Sequence, residues 1–310
     1  MFNLILNALT PVAFVIALGF LAGKTKYITR DGAKNLSTLV VNFALPCVLF
    51  VSIFGFSPAQ FENIPYVLTL LIGITIPFLF AIFLAFVIWK KPAGEASLFG
   101  SNCGFPDMAY FGLPVVLTVL GQQGMLPIIV GNIITSIVVI PIVMAMISKG
   151  QSGGSSASIS SILLDTLKQP VVWAPLIGLA LVLLGIKLPT LASDSLKLIG
   201  NVSGGVALFT LGVLLSFLKP AIDRQVVTVV ILKNLVMPAL VAGLALIFKL
   251  DPILAKGVII IAACPAATMG AMLSSQHGVA TEIIPGQILA SNIAAIFTMA
   301  MWIYVAETLF

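Results

Sequence analysis

Apolar runs of about 20 residues recur along the whole chain, separated by short polar segments. Runs of that length cross a bilayer core of roughly 30 Å as helices. They lack the two-residue alternation of a transmembrane β-barrel. Ten spans fit, at residues 4–23, 33–54, 64–89, 95–121, 125–148, 170–185, 195–218, 225–248, 252–276 and 282–306. The expected fold is an all-α integral membrane protein. The stretch KGQSGGSSASIS sits at the centre, and residues 149–161 read as a Gly/Ser-rich flexible linker. It separates a first five-span half, 1–148, from a second, 162–310.

The two halves share a pattern. GNIITSIVVIPIVMAMI, residues 131–147, reappears as GQILASNIAAIFTMAMW, residues 286–302, at an offset of 155. Gln122-Gln123-Gly124 matches Gln276-His277-Gly278. Pro11 and Gly19 of span 1 match Pro170 and Gly178 of span 6 at one offset, and Ser52 and Ser216 close similar runs in spans 2 and 7. An odd number of spans per half makes the second half enter the membrane from the opposite side, so a 5+5 inverted repeat is expected.

Spans 4 and 9 carry interruptions. Span 4 holds Gly100, Gly104, Pro106, Gly112 and Pro114, and span 9 holds Pro265 and Gly270. Proline removes a backbone donor and crowds the preceding turn. In lipid the freed groups are tolerated only where protein or a watery cavity satisfies them. One such span is as well explained by a proline kink. Two at matching places point to a transporter with its site at the breaks, with Pro106, Gly112, Pro265 and Gly270 as the structural breaks. The amides that open each second half-helix carry a partial positive charge and suit an anionic or polar organic substrate. The substrate-binding candidates are Asn102, Asp107, Met108, Ala109 and Tyr110 at the first break and Ala267, Thr268 and Met269 at the second. Asn42 of span 2 and Asn292 of span 10 complete the set.

Several polar residues within spans keep alternative readings. Asp107 is the acid well inside a span, where an unpaired charge costs about 2.5–3.5 kcal/mol or more. It titrates as a coupling proton site, ligates a cation such as sodium, or caps the second half of span 4. Lys233 either snorkels to an interface or faces the cavity and balances charge near the crossing. Asn132, Ser136, Gln287 and Ser291 line the crossing or bond helix to helix. His277 and Glu282 are interface residues first and gate residues second.

Composition narrows the functional classes. Hydrophobic residues make up 60% of the chain and charged residues 8%, against roughly a quarter charged in a soluble domain. Mean hydropathy is +1.20. The net charge of +5 is spread over loops, with no basic block of the kind that binds nucleic acid. Cys47, Cys103 and Cys264 lie in apolar segments without metal-ligand spacing, and neither HExxH nor GxxxxGK[ST] occurs. No enzyme activity, metal or cofactor is expected, only a coupling proton or sodium ion. The first 20 residues lack a basic n-region and read as a retained first helix. With the N-terminus outside, the inner loops hold ten Lys and Arg, including Lys34, Lys168 and Lys219, and the outer loops four. That favours N-out and C-out.

The chain resembles the auxin efflux carrier family, in particular bacterial members assigned to malonate or related carboxylates. NFALPCVLFVSI in span 2 resembles the family's LPxxLF segment, and FPDMAYFGLP in span 4 resembles its FPNxGYxGxP break. KQPVVWAP, VALFTLGVLL, LKNLVMPAL and AACPAATMGAML in spans 6 to 9 are similar to further family segments. Asp107 stands where the family usually has Asn, and Ala109 where it usually has Gly. The resemblance implies ten helices in an inverted repeat, with helices 4 and 9 crossing as an X. It also implies a scaffold of helices 1, 2, 6 and 7 and a moving transport unit of helices 3–5 and 8–10. The expected function is a secondary active transporter that moves a small organic anion, a mono- or dicarboxylate, across the bacterial cytoplasmic membrane by alternating access. The alternative is a cation–proton antiporter of the same architecture, which usually needs two or more buried carboxylates. The expected partners are the organic anion and the bilayer, with no nucleic acid, and a homodimer is compatible with all of this.

Overall fold

Backbone groups in a bilayer find no water, so helix is the local solution for an apolar span. The computed structural model describes residues 2–57, 63–151, 168–218 and 223–310, and these are helical with no strand beyond one isolated bridge. Residues 152–161 of the expected linker, and Lys219, lie outside the described residues, and helix continues to Gln151 at the linker's start.

We number the helices in chain order. In the first half they are α1 Phe2–Lys24, α2 Arg30–Ile53, α3 Ile64–Val87, α4 Ala93–Gly104, α5 108–120 and α6 125–151. In the second half they are α7 Pro170–Leu183, α8 Thr190–Gly200, α9 Ser203–Ser216, α10 Arg224–Ile247, α11 Pro252–Ala263, α12 Met269–His277 and α13 Ile283–Leu309. Six described stretches are long and apolar enough to cross a membrane: α2, α3, Met108–Ser148, Thr190–Ser216, α10 and α13. Leu9–Lys24, Pro170–Leu183 and Pro252–Ala263 are shorter apolar helices. The chain is a multi-pass membrane protein.

Local chemistry sets the boundaries. The Asn63 side chain accepts from the Tyr66 N–H to open α3, and Asp251 accepts from Ile253 to open α11. Gly121, with φ of +63°, breaks the chain between α5 and α6, in a region of φ that favours glycine. Four helices contain a five-residue wide turn: Val40–Ala44 in α2, Met108–Gly112 in α5, Thr135–Val139 in α6 and Leu232–Val236 in α10. In each, the next residue's N–H donates to a carbonyl five residues back, as Leu113 does to Met108. A proline follows each turn by two residues: Pro46, Pro114, Pro141 and Pro238. A proline ring clashes with the carbonyl four residues back and offers no N–H, so the preceding turn widens to place its carbonyls elsewhere.

α1 packs on α9, α2 on α7 and α8, α3 on α4 and α10, and α11 on α10 and α13. Helix α3 is apolar all round. Leu70, Ile74, Phe78 and Ala81 are buried, while Ile76, Phe80 and Phe83 stay exposed on the other side. An apolar exposed face on a spanning helix is a lipid-facing face.

Candidate functional site

The α4 and α11 helices end at the same place and their chains cross. Pro106 pairs with Ala266 in an antiparallel bridge. The Asp107 N–H donates to Pro265 O at 2.8 Å, and the Ala267 N–H donates to Phe105 O at 3.0 Å. These two bonds flank Pro106 and Ala266, positions from which the bridge draws no N–H. A proline therefore stands at position 106 without loss. Ala266 is bonded elsewhere. Its N–H donates to Ser291 Oγ at 3.0 Å, and its carbonyl accepts from Asn292 Nδ2 at 3.4 Å.

Two helices leave the crossing. Asp107 caps α5, with Oδ1 accepting from the Tyr110 N–H at 3.0 Å. Its other oxygen is buried without a protein partner, and the residue is 2% exposed. The α12 helix starts after Thr268 with no side-chain cap on its first turn. Both amide ends open on one cavity of about 190 Å³. Asn42, Asp107, Met108, Ala109, Tyr110, Ala267, Thr268 and Met269 line it, bringing eight of the ten candidates together. Asn132 and Ser136 of α6 line it too, and the Asn132 Nδ2 is buried without a partner. Its walls are largely apolar, including Val41, Leu45, Ile140 and Met272. Lys34 and Thr38 of α2, together with Gln169, form the exposed or half-exposed end. The Tyr110 hydroxyl donates to Ser37 Oγ at 3.1 Å, tying α5 to α2 beside the cavity.

Two candidates lie elsewhere. Asn102 is 1% exposed and donates to Gln287 Oε1 at 2.8 Å and to Ile284 O at 3.3 Å. It sits against Gly270, where a Cβ would lie 2.3 Å from Asn102 Oδ1. Position 102 precedes the end of α4, so its side chain belongs to the helix packing behind the crossing. Asn292 holds Ala266 O and Ile288 O, and its side chain borders an apolar groove between α1 and α13. Of the break residues, Pro106 lines the cavity, while Gly112 and Pro265 are buried beside it. Lys233 neither snorkels nor faces the cavity. It is 0% exposed and donates to Ala262 O at 2.8 Å. Sequence reasoning missed Lys34, Ser37 and Gln169 as cavity residues. The signal for the first two was helical spacing, since Lys34, Ser37, Thr38, Val41 and Asn42 recur every three or four residues on one face. Among the described residues no group of three or more His, Cys, Asp or Glu could hold a metal ion.

An all-helical, multi-pass chain with a cavity at the ends of several helices, largely apolar but with a few buried polar groups, has the build of a membrane transporter. The chain belongs to the membrane transport protein family, that of the auxin efflux carriers, whose family model matches residues 4–303. It is 27% identical over 312 aligned positions to the uncharacterized transporter YfdV of Escherichia coli K12, covering 99% of each chain. An uncharacterized transporter of Methanothermobacter thermautotrophicus is 22% identical, over 94% of this chain and 95% of its own length.

Proposed function

We propose that the chain is a secondary carrier that moves a small organic anion, a carboxylate, across the bacterial cytoplasmic membrane by alternating access. The observation that carries this is the cavity where the amide ends of α5 and α12 meet. Two helix poles of like sign converge there, each equivalent to about half a positive charge. In this proposal the carboxylate sits at those poles and its apolar body lies against Val41, Leu45 and Met269. Lys34 at the mouth draws anions in.

The architecture proposed is ten spans in a 5+5 inverted repeat. Spans 1, 2, 6 and 7 form the scaffold, and spans 3–5 and 8–10 form the moving unit. Close helix contacts support it. A Cβ on Gly19 would lie 2.0 Å from Phe209 O, and one on Gly178 would lie 3.3 Å from Phe50 O. Gly19 to Gly178 and Phe50 to Phe209 are the same displacement of 159 residues, with donor and acceptor halves exchanged. That is the contact pattern of two intertwined repeats. With the N-terminus and C-terminus outside, the Lys34 end of the cavity faces the cytoplasm. A second cavity of about 520 Å³ at the far end of α2, lined by Ser52, Gln122, Gln123 and Asn201, would be the outer vestibule.

A cation–proton antiporter is the second reading, favoured by the unpartnered Asp107 oxygen. Against it, Asp107 is the one buried acid among the described residues. A ligand screen on purified protein separates the two. Acetate, malonate, succinate and benzoate are tested for thermal stabilisation, with and without sodium, over a pH series. Stabilisation by a carboxylate is expected. A response to sodium or lithium alone would favour the antiporter.

A further inference from the structure

Lys233 lies on the wide turn Leu232–Val236 of α10 and is 0% exposed. Its ammonium donates to the carbonyl of Ala262, in the last turn of α11. Carbonyls there run out of helical partners and form the negative pole of the helix. Helix α4 packs on the same wide turn, and three residues past Ala262 the Pro265 carbonyl accepts from the Asp107 N–H at 2.8 Å. The lysine thus stands where α4 and α11 enter the crossing, carbonyl ends first. Asp107 stands where α5 leaves it, amide end first. No other charged side chain is buried among the described residues.

The helix pole is worth about half a charge and offsets the ammonium only in part. Burying a charge at mid-membrane costs about 2.5–3.5 kcal/mol or more, so a charge here calls for a compensating charge. We propose that Lys233 and Asp107 form a charge couple across the crossing. Lys233 cancels the ionised Asp107 and keeps the anion site from being net negative. Lys233 is a positioning residue, since it acts through the field and does not line the cavity. The effect on anion binding rests on the carrier proposed above. The couple itself does not.

The test is a double-mutant cycle on the full chain in detergent, with Lys233→Gln, Asp107→Asn and the double variant. Glutamine keeps a donor for Ala262 without charge, and asparagine keeps the cap. Thermal unfolding is read without ligand. Asp107→Asn is expected to lower the midpoint of the wild type, where it leaves Lys233 uncompensated. It is expected to raise the midpoint of Lys233→Gln, where it removes the uncompensated acid. Additive effects of the two substitutions would overturn the couple, because a lysine that merely bonds Ala262 is not rescued from position 107. Lys233→Met provides the same cycle without the hydrogen bond, and rescue by Asp107→Asn is expected there as well. Binding of acetate, malonate, succinate and benzoate is then measured on the same proteins. Lys233→Gln is expected to weaken binding by about tenfold or more, the scale of one unit charge at roughly 10 Å at an effective dielectric of about 20, and the double variant to regain most of it. If none of the four binds the wild type, the carrier proposal fails, while the thermal cycle still decides the couple.

Discussion

Asp107 and Ala267 each give a backbone N–H to the opposite strand of the crossing, at 2.8 and 3.0 Å. Around them the two strands are held differently. The 265–267 strand is clamped from α13. Ser291 Oγ accepts from the Ala266 N–H and donates to Asn234 Oδ1 at 2.7 Å, and Asn292 reaches the Ala266 carbonyl. Asn234 in turn bonds Ser291 O and Thr298, and Trp302 Nε1 donates to Asn234 O. Among the described residues the 105–107 strand has no such clamp from α6. Asn132 and Ser136, which match Gln287 and Ser291 at the offset of 155, line the cavity instead. On one strand Ser291 and Asn292 bond the chain itself, and on the other Asn132 and Ser136 face the space a ligand would fill. Similar sequence in two halves thus serves a fixed element in one and an exchangeable surface in the other.

Closing the open side should have the largest effect. Ala109 lines the cavity on the first turn of α5. Ala109→Trp adds an aromatic side chain to a space of about 190 Å³ and should abolish carboxylate binding. Thermal midpoint should change little, because the ring enters the cavity and not the packed core. Equilibrium binding and unfolding on one preparation check this, and unchanged affinity would put the site elsewhere.

The asymmetry also explains what the sequence could and could not show. The described apolar runs are mainly helical, with α3 and α10 ending within two residues of the expected bounds, because membrane burial favours helix wherever the protein supplies no other partner for the backbone. Prolines 106 and 265 marked where polar backbone would collect, so most candidates cluster. The pairing of Pro106 with Ala266 is a contact between residues 160 apart, which no local pattern encodes. Asn102 and Asn292 looked equivalent to the cavity residues because a polar side chain in a span reads the same from either face. Their direction depends on the helix packed against them. The wide turns were legible only in part. Pro46, Pro114, Pro141 and Pro238 each follow one, but Pro77 sits inside α3 without one, so proline only narrows the choice, and Asn42, Met108, Ser136 and Lys233 all lie on these turns.

A smaller effect is expected from changing the charge on the open side. Asp107 lines the cavity and Lys233 does not, so the lysine offsets the acid's repulsion of an anion only in part, and the competent state is expected to neutralise Asp107 with a proton or a cation. Protonation removes that repulsion, and binding by the wild type should strengthen as pH falls or sodium rises. Asp107→Asn keeps the cap on Tyr110 and should retain binding while losing most of this dependence. Transport into proteoliposomes across pH and sodium concentration is the measurement. Identical ion dependence in the two proteins would leave Asp107 as a cap only.

The smallest effect sharpens the comparison most directly. Ser136→Ala and Ser291→Ala remove the same hydroxyl from matching positions of α6 and α13. At 291 the loss orphans the Ala266 N–H and one acceptor of Asn234, both inside the protein. A buried unsatisfied group costs about 1–3 kcal/mol, which lowers the midpoint by a few degrees, roughly 2–4 °C per kcal/mol for a chain of this order of size. At 136 the hydroxyl faces the cavity, so stability should hold within about 0.5 kcal/mol and the change should appear in ligand affinity. Unfolding midpoints and carboxylate affinities of the two variants therefore should diverge in opposite directions. Equal loss of stability in both would mean that α6 clamps its strand as α13 does, and the division into a fixed and an exchangeable strand would be wrong.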